Sequence, residues 1–150
     1  MMSEKPPPPC RGDFAFVHRL RVRWSEVDAQ GIVFNPNYLV YCDIGLNEYM
    51  RGVGFPYPEG LAAFGTDLFA VNANVNFRLS ARFDDEVDVA VRVSQIGRTS
   101  LRFHMAVFRD DVPLFDALMT YVNAARETQA RAPCRSRSSI ISSLSRPFRQ

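Results

Sequence analysis

Apolar and polar side chains alternate between Phe14 and Trp24. Phe14, Phe16, His18, Leu20, Val22 and Trp24 fall on one parity, and Ala15, Val17, Arg19, Arg21 and Arg23 on the other. A period of two belongs to an extended strand with one buried face, so a first strand is expected here. Asn35-Pro36 then reads as a helix start: an Asn side chain caps free N–H groups, and Pro at the first helical position forfeits no hydrogen bond. The helix is expected from Pro36 to about Arg51, closed by Gly52 and Gly54 with Pro56 and Pro58 behind them. Leu39, Ile44, Leu46, Tyr49 and Met50 give it a wide apolar face. Gly45 in its middle costs about 1 kcal/mol relative to Ala, which implies a close backbone contact. Four strand-like runs follow, Asp67–Leu79, Glu86–Ile96, Thr99–Arg109 and Val112–Arg126. In the second of them Val87, Val89, Val91 and Val93 alternate with Asp88, Ala90, Arg92 and Ser94, the pattern of a half-buried strand. Gly97-Arg98 and Asp110-Asp111 are short and polar enough for hairpins. One strand, one helix and four hairpin-linked strands predict an α+β domain in which a curved antiparallel sheet wraps around one long central helix.

Both ends fall outside this pattern. Residues 1–13, with Pro6 to Pro9 in a row, hold too few apolar side chains to fold alone and are expected as a flexible arm. Residues 129–150 turn to Arg, Ser and Ala with scattered Pro and are expected as a disordered basic tail. The single domain is then 14–128, long enough to bury a core without a metal or disulfide staple. Charge changes the picture only at the tail. The chain's formal +2 includes Arg135, Arg137, Arg146 and Arg149, with no acid between 132 and 150, so the remainder carries −2 and gives no support to nucleic-acid binding. No run approaches the roughly 18 apolar residues that span a bilayer, and the N-terminus lacks the basic and apolar regions of a secretory signal. A cytoplasmic protein without membrane association is expected. Cys10, Cys42 and Cys134 cannot all pair and have no close Cys or His neighbours, which fits a reduced compartment and predicts neither metal nor cofactor.

Candidate chemistry gathers in one loop. The run from Asp28 through Gly31 to Tyr38 puts a carboxylate seven residues ahead of the Asn35-Pro36 helix start. Unpaired N–H groups and the positive end of the helix dipole gather there, favouring an oxyanion nearby and holding an aspartate ionised. Gly31 has no Cβ to obstruct a bound group. From residue types alone, Asp28 stays open between a turn or capping carboxylate and a catalytic one.

The stretch Asp28-x-x-Gly31-Ile32-Val33-Phe34-x-Pro36-Asn37-Tyr38 resembles the signature of the 4-hydroxybenzoyl-CoA thioesterase branch of the hotdog superfamily. The resemblance continues through Phe83-Asp84-Asp85-Glu86-Val87 and Gly97-Arg98-Thr99-Ser100-Leu101 and covers about residues 14 to 127. It implies a hotdog fold and hydrolysis of an acyl-CoA thioester to a carboxylic acid and CoA. It further implies Asp28 as nucleophile or general base, and the N–H groups of Gly31, Ile32, Val33, Phe34 and Asn35 as the oxyanion hole. Substrate contacts are implied for Asn35, Tyr38, Asp43, Arg98, Thr99 and Ser100, with Arg98 suited to the CoA phosphates. Arg78 and Arg82 are weaker candidates for that surface. A homodimer or homotetramer with sites at the protomer interface is implied as well. Asn35 stands where some relatives carry Tyr or His, and its other reading is the helix N-cap. Asp43 reads otherwise as a solvated helix position, and Arg98 as a surface hairpin arginine.

One carboxylate suits this chemistry, because a thiolate with a conjugate-acid pKa of about 8.5 leaves without a strong general acid. Dehydration on the same architecture needs a His partner, and His18 and His104 both fall in strand patterns. Cys42 lies mid-helix with no His spaced to activate it. The alternative is a non-catalytic module that binds acyl-CoA or a protein, which has no use for a carboxylate facing a thioester carbonyl. Phe34, Tyr38, Tyr41 and Phe55 to Pro58 suit an aromatic or an aliphatic acyl group equally.

Overall fold

Valines at every second position of one strand meet the glycine in the middle of the helix, and the layers are arranged around that contact. The computed structural model describes residues 4–133. Its elements run β1 (Phe16–Arg21), α1 (Asn37–Gly52), the single turn α2 (Glu59–Ala62), β2 (Thr66–Phe77), β3 (Glu86–Ile96), β4 (Ser100–Arg109) and β5 (Val112–Ala125). The strands form one antiparallel sheet in the order β1-β3-β4-β5-β2, and α1 lies across β3, β1 and β4. A Cβ on Gly45 would sit 2.5 Å from Val89 Cγ1 and 3.3 Å from Val91 Cγ2, so the helix backbone itself rests on β3. Tyr41, Phe103, Met105 and Phe115 fill the space between the layers. Register shifts at Val71, Ser94 and Leu114 break the ladders, as bulges that bend a sheet around a helix do.

The expected elements are present, with three differences. β2 and β3 are not a hairpin: β2 pairs with β5 and β3 with β1, and residues 78–85 cross the end of the sheet between them. That crossing is tied to the loop ahead of α1, so it has a bridging role that a tight turn would not fill. Trp24 leaves the strand pattern in a 3-10 turn, Trp24–Glu26, and is exposed. Phe14 is buried, but against Ala90, Ala106 and Phe108 on the face away from α1, so β3 is covered on both sides where one buried face was expected.

The N-terminal arm explains that second covering. Over its described residues it is held to the sheet: Lys5 Nζ donates to the Phe77 carbonyl (2.8 Å), Arg78 Nη2 to the Pro6 carbonyl (2.9 Å), and Arg11 Nη2 to Asp88 Oδ2 (2.7 Å). After β5 the chain folds back, with Arg131 bridged to Ala124 and the Ala132 N–H donating to the Asn123 carbonyl (3.0 Å). The remainder of the expected basic tail, with Cys134 and its four arginines, lies outside the described residues.

Asp88 is the polar anchor of the outer face, 3% exposed. Hydrogen bonds from Arg19 foremost, with Arg11 adding, hold its carboxyl below the usual carboxylate range against the opposing effect of burial. A carboxyl depressed in the folded state stabilises the fold above its unfolded pKa of about 3.9 and ceases to do so as pH falls through the lower folded value. Asp88→Asn should therefore lower the melting temperature at neutral pH and flatten its decline in acid, as read by thermal unfolding from pH 7 to pH 2. Gly45→Ala tests the helix contact. Ala favours helix by about 1 kcal/mol, whereas forcing a methyl into a packed core costs about 1–3 kcal/mol, so a net loss of melting temperature is expected and a gain would refute the contact.

Candidate active site

Glu26 ties together both ends of the loop that carries Asp28. Its carbonyl accepts the Phe34 N–H and the Asn37 side-chain amide, each at 2.9 Å. Its carboxylate Oε2 accepts the Tyr41 hydroxyl and the Arg23 N–H, each at 2.8 Å. Between those ends Val27 faces Val33, the Asp28 N–H donates to the Ile32 carbonyl (2.9 Å), and the Gly31 N–H donates to the Asp28 carbonyl (2.9 Å). The turn needs φ of +76° at Gly31, a left-handed angle that favours glycine. A Cβ there would meet nothing within 4 Å, so backbone conformation and not crowding calls for the glycine.

The half-buried Asp28 points one oxygen back at its own turn, with Oδ1 accepting the Gln30 N–H at 2.8 Å. Among the described residues, Oδ2 has no hydrogen-bond partner. The crossing 78–85 forms the other wall of the loop. The Ala81 carbonyl accepts the Val33 N–H (2.9 Å), and the Ala81 N–H donates to the Tyr38 hydroxyl (2.9 Å). Tyr38 is stacked on Phe115 with ring centroids 5.1 Å apart. Asp85 Oδ2 accepts the Arg82 N–H (2.9 Å) and Arg109 Nη1 (2.7 Å), which fixes the far end of the crossing.

These bonds narrow the expected oxyanion hole. The N–H groups of Gly31, Val33 and Phe34 are committed to the carbonyls of Asp28, Ala81 and Glu26. In the first helical turn, those of Asn37, Tyr38 and Leu39 donate to Phe34, Asn35 and Pro36. Ile32 and Asn35 keep N–H groups that find no acceptor among the described residues. The Asn35 side chain makes no capping bond: α1 starts at Asn37 with Pro36 at the cap position, one residue later than expected, because the Asn37 side chain fastens the entry to Glu26.

The expected substrate contacts do not converge within one protomer. Tyr38 is 2% exposed with its hydroxyl committed to Ala81, so it braces the loop from inside the core. Asp43 is exposed and borders a cavity of about 210 Å³ between α1 and the β2–β5 pair, with Leu46, Met50, Tyr57, Leu68 and Tyr121. Burial foremost pushes the Tyr121 hydroxyl up to about 12, so it remains a donor there. Arg98, Thr99 and Ser100 form the β3–β4 hairpin, which the Gly97 N–H to Ser100 carbonyl bond (2.8 Å) closes. That hairpin follows the Ile96 end of β3, while Asp28 lies by the Glu86 end, roughly 30 Å away along an eleven-residue strand. Arg78 is already paired with Asp116 and Pro6, whereas Arg82 is exposed. The two histidines stay away from the loop: His18 pairs with Val89 in the sheet, and His104 Nδ1 sits 3.0 Å from Arg92 Nη2. Cys42 is buried, and burial foremost pushes its thiol up to about 12, which leaves it unreactive. Among the described residues no group of three His, Cys, Asp or Glu side chains is placed to hold a metal. Sequence reasoning missed Glu26, Tyr41 and Ala81 as supports of the loop. Only the Phe83-to-Val87 motif hinted that the crossing mattered.

One long helix embraced by a five-stranded antiparallel sheet defines a hotdog-fold domain. Residues 30–115 match the model of the thioesterase superfamily, and the chain belongs to that superfamily. It is a thioester hydrolase. A protein of Aquifex aeolicus provisionally classed as an esterase is 31% identical over 102 residues, covering 68% of this chain and 79% of that protein. The acyl-CoA thioesterase YbgC of Haemophilus influenzae is 24% identical over 105 residues, covering 70% and 77%. The structure of BH1999, a gentisyl-coenzyme A thioesterase, superposes with a TM-score of 0.75 at 24% identity, covering 83% of this chain and 99% of that one. No helix among the described residues is long and apolar enough to cross a membrane.

Tyr38→Phe removes the acceptor of the Ala81 N–H inside the core. An orphaned buried donor costs about 1–3 kcal/mol, so a drop of several degrees in melting temperature is expected, together with a fall in kcat larger than any change in KM. An unchanged melting temperature would show that Tyr38 does not brace the loop.

Proposed function

We propose that the chain hydrolyses acyl-CoA thioesters, with Asp28 as the reacting carboxylate and the N–H groups of Ile32 and Asn35 as oxyanion donors. The observation that carries this reading is the free Asp28 Oδ2 in a loop pinned at both ends by Glu26 and tied to the crossing through Ala81. A reacting group that must attack a carbonyl or take a proton from water needs an uncommitted oxygen held in place by a rigid frame. Asp28 either adds to the thioester carbonyl, expelling CoA thiolate and leaving an anhydride for water to open, or takes the proton from the attacking water. Single turnover in oxygen-18 water separates the two, since only the anhydride route leaves label in the Asp28 side chain.

Asn35, Asp43, Arg98, Thr99 and Ser100 complete the site in this reading, Asp43 at the acyl cavity and Arg98 at the CoA phosphates. The separation of Asp28 from Arg98 supports a site shared by two protomers. β2 is an edge strand with Val71 53% exposed. Two copies pairing antiparallel along β2 set the Thr66 end of one beside the Phe77 end of the other. Each Asp28 loop then faces the end of the partner that carries the hairpin. A homodimer is thus the smallest complete enzyme, and a homotetramer a pair of them. We place it in the cytoplasm, where the exposed Cys10 stays reduced.

Asp28→Asn is expected to lower CoA thiol release from a panel of aromatic and aliphatic acyl-CoAs by at least about a hundredfold. Residual activity equal to wild type would overturn the assignment. Mixing inactive Asp28→Asn with impaired Arg98→Ala and exchanging subunits should restore activity, because each mixed dimer holds one intact composite site. No restoration would place both residues in one protomer's site.

A further inference from the structure

A groove of about 640 Å³ opens on the opposite side of α1 from the Asp43 cavity, between α1 and the free edge of β1. Leu20, Val22 and Ile44 give it an apolar floor, and Tyr41 its inner wall. At its mouth stand Trp24, the chain's one tryptophan, 74% exposed, and Phe83, 48% exposed. Their rings meet edge-on, 5.2 Å apart between centroids. Large aromatics fixed against each other at the rim of a groove and left uncovered form a binding surface more readily than a core.

Charge narrows what this surface takes. Arg19 and Arg21 on the rim are neutralised by Asp88, Glu86 and Asp84. Among the described residues the Arg23 guanidinium has no acidic partner, while its backbone N–H donates to the Glu26 carboxylate at the back of the groove (2.8 Å). It lies near Tyr41, whose hydroxyl is pushed up by burial foremost and by the Glu26 carboxylate it donates to, with the Arg23 charge opposing. One free guanidinium beside an apolar floor suits a single carboxylate, which it can meet through two parallel hydrogen bonds. A nucleotide's several phosphates would meet Asp84 and, among the described residues lining the groove, one unpaired guanidinium.

We propose that this groove binds carboxylates with an apolar body, the carboxylate on Arg23 and the body between the Trp24 ring and the Leu20–Ile44 floor. The back of the groove is the Tyr41–Glu26 bond, the same tie that fixes both ends of the Asp28 loop, so an occupant bears directly on the support of the catalytic carboxylate. Thioester hydrolysis releases a carboxylate of this class. The natural occupant is therefore the reaction's own product, a step that rests on the activity proposed above.

Trp24 makes the test direct. Titrating the full chain with benzoate and with octanoate should give a saturable change in tryptophan emission, both in wild type and in Asp28→Asn. Arg23→Gln should raise Kd about tenfold or more, as loss of a charged hydrogen bond does, while Arg23→Lys retains most of the affinity. A response that does not saturate, an equal Kd in Arg23→Gln and wild type, or loss of the response in Asp28→Asn would overturn the groove. Should Arg23→Gln fail to fold, Phe83→Ala takes its place, with weaker binding expected and unchanged binding contrary to the proposal. Thiol release is measured separately: saturable binding without turnover supports the groove and removes only its assignment to product.

Discussion

The height of α1 above the sheet is set by a missing methyl group. With Gly45 against Val89 and Val91, the helix approaches β3 more closely than any other residue would allow. Packed interiors tolerate shifts of this size poorly, so everything attached to the ends of the helix takes its position from this contact. At the N-terminal end are Asn37, Tyr38 and Tyr41, which hold the Asp28 loop through Glu26 and Ala81. At the C-terminal end are Leu46 and Met50, which wall the Asp43 cavity. A change of helix height would move Asp28 and the cavity together.

The Asp28 loop is held by backbone hydrogen bonds at both of its ends and to the crossing beside it. This reverses the simplest picture of a helix N-terminus as a row of open donors. The tight first turn of α1 uses three of them, the bridges to Glu26 and Ala81 use two more, and the turn at Gly31 uses another. Between Gly31 and Asn35, the N–H groups of Ile32 and Asn35 are left over among the described residues, each next to a residue whose N–H is bonded. In the proposed reaction, donors fixed in this way would need little reorganisation as charge develops on the carbonyl oxygen.

Much of this fold was legible in the residues. Five strand-like runs located the five strands, and period-two alternation was plain in two of them, around Phe16–Arg21 and Glu86–Ile96. Gly45 announced its close contact through the helix propensity it sacrifices. The pairing of β2 with β5 was not legible, since the Arg78-to-Asp85 linker is short enough for a hairpin and only its tie to Val33 and Tyr38 shows why it crosses. Asp28 was visible as a lone carboxylate ahead of a helix. Which N–H groups remain free was hidden, because it depends on Glu26, two residues upstream, and Ala81, some fifty residues downstream, meeting across the loop. Tyr38 misled for a related reason: a tyrosine on the first helical turn looks like a ligand contact until its hydroxyl is found bonded to a backbone amide.

The strand order β1-β3-β4-β5-β2 also governs how the chain emerges from the ribosome. β1 and α1 are made first, yet β3, their shared partner, begins about thirty residues after α1 ends. At roughly 5–20 residues per second, the apolar face of α1 stays bare for seconds before β3 is available, and β4 comes later still. During that interval the nascent chain presents a hydrophobic helix and an unpaired edge strand. Its period of greatest exposure to misassociation is therefore set by topology, before any of its final stability exists.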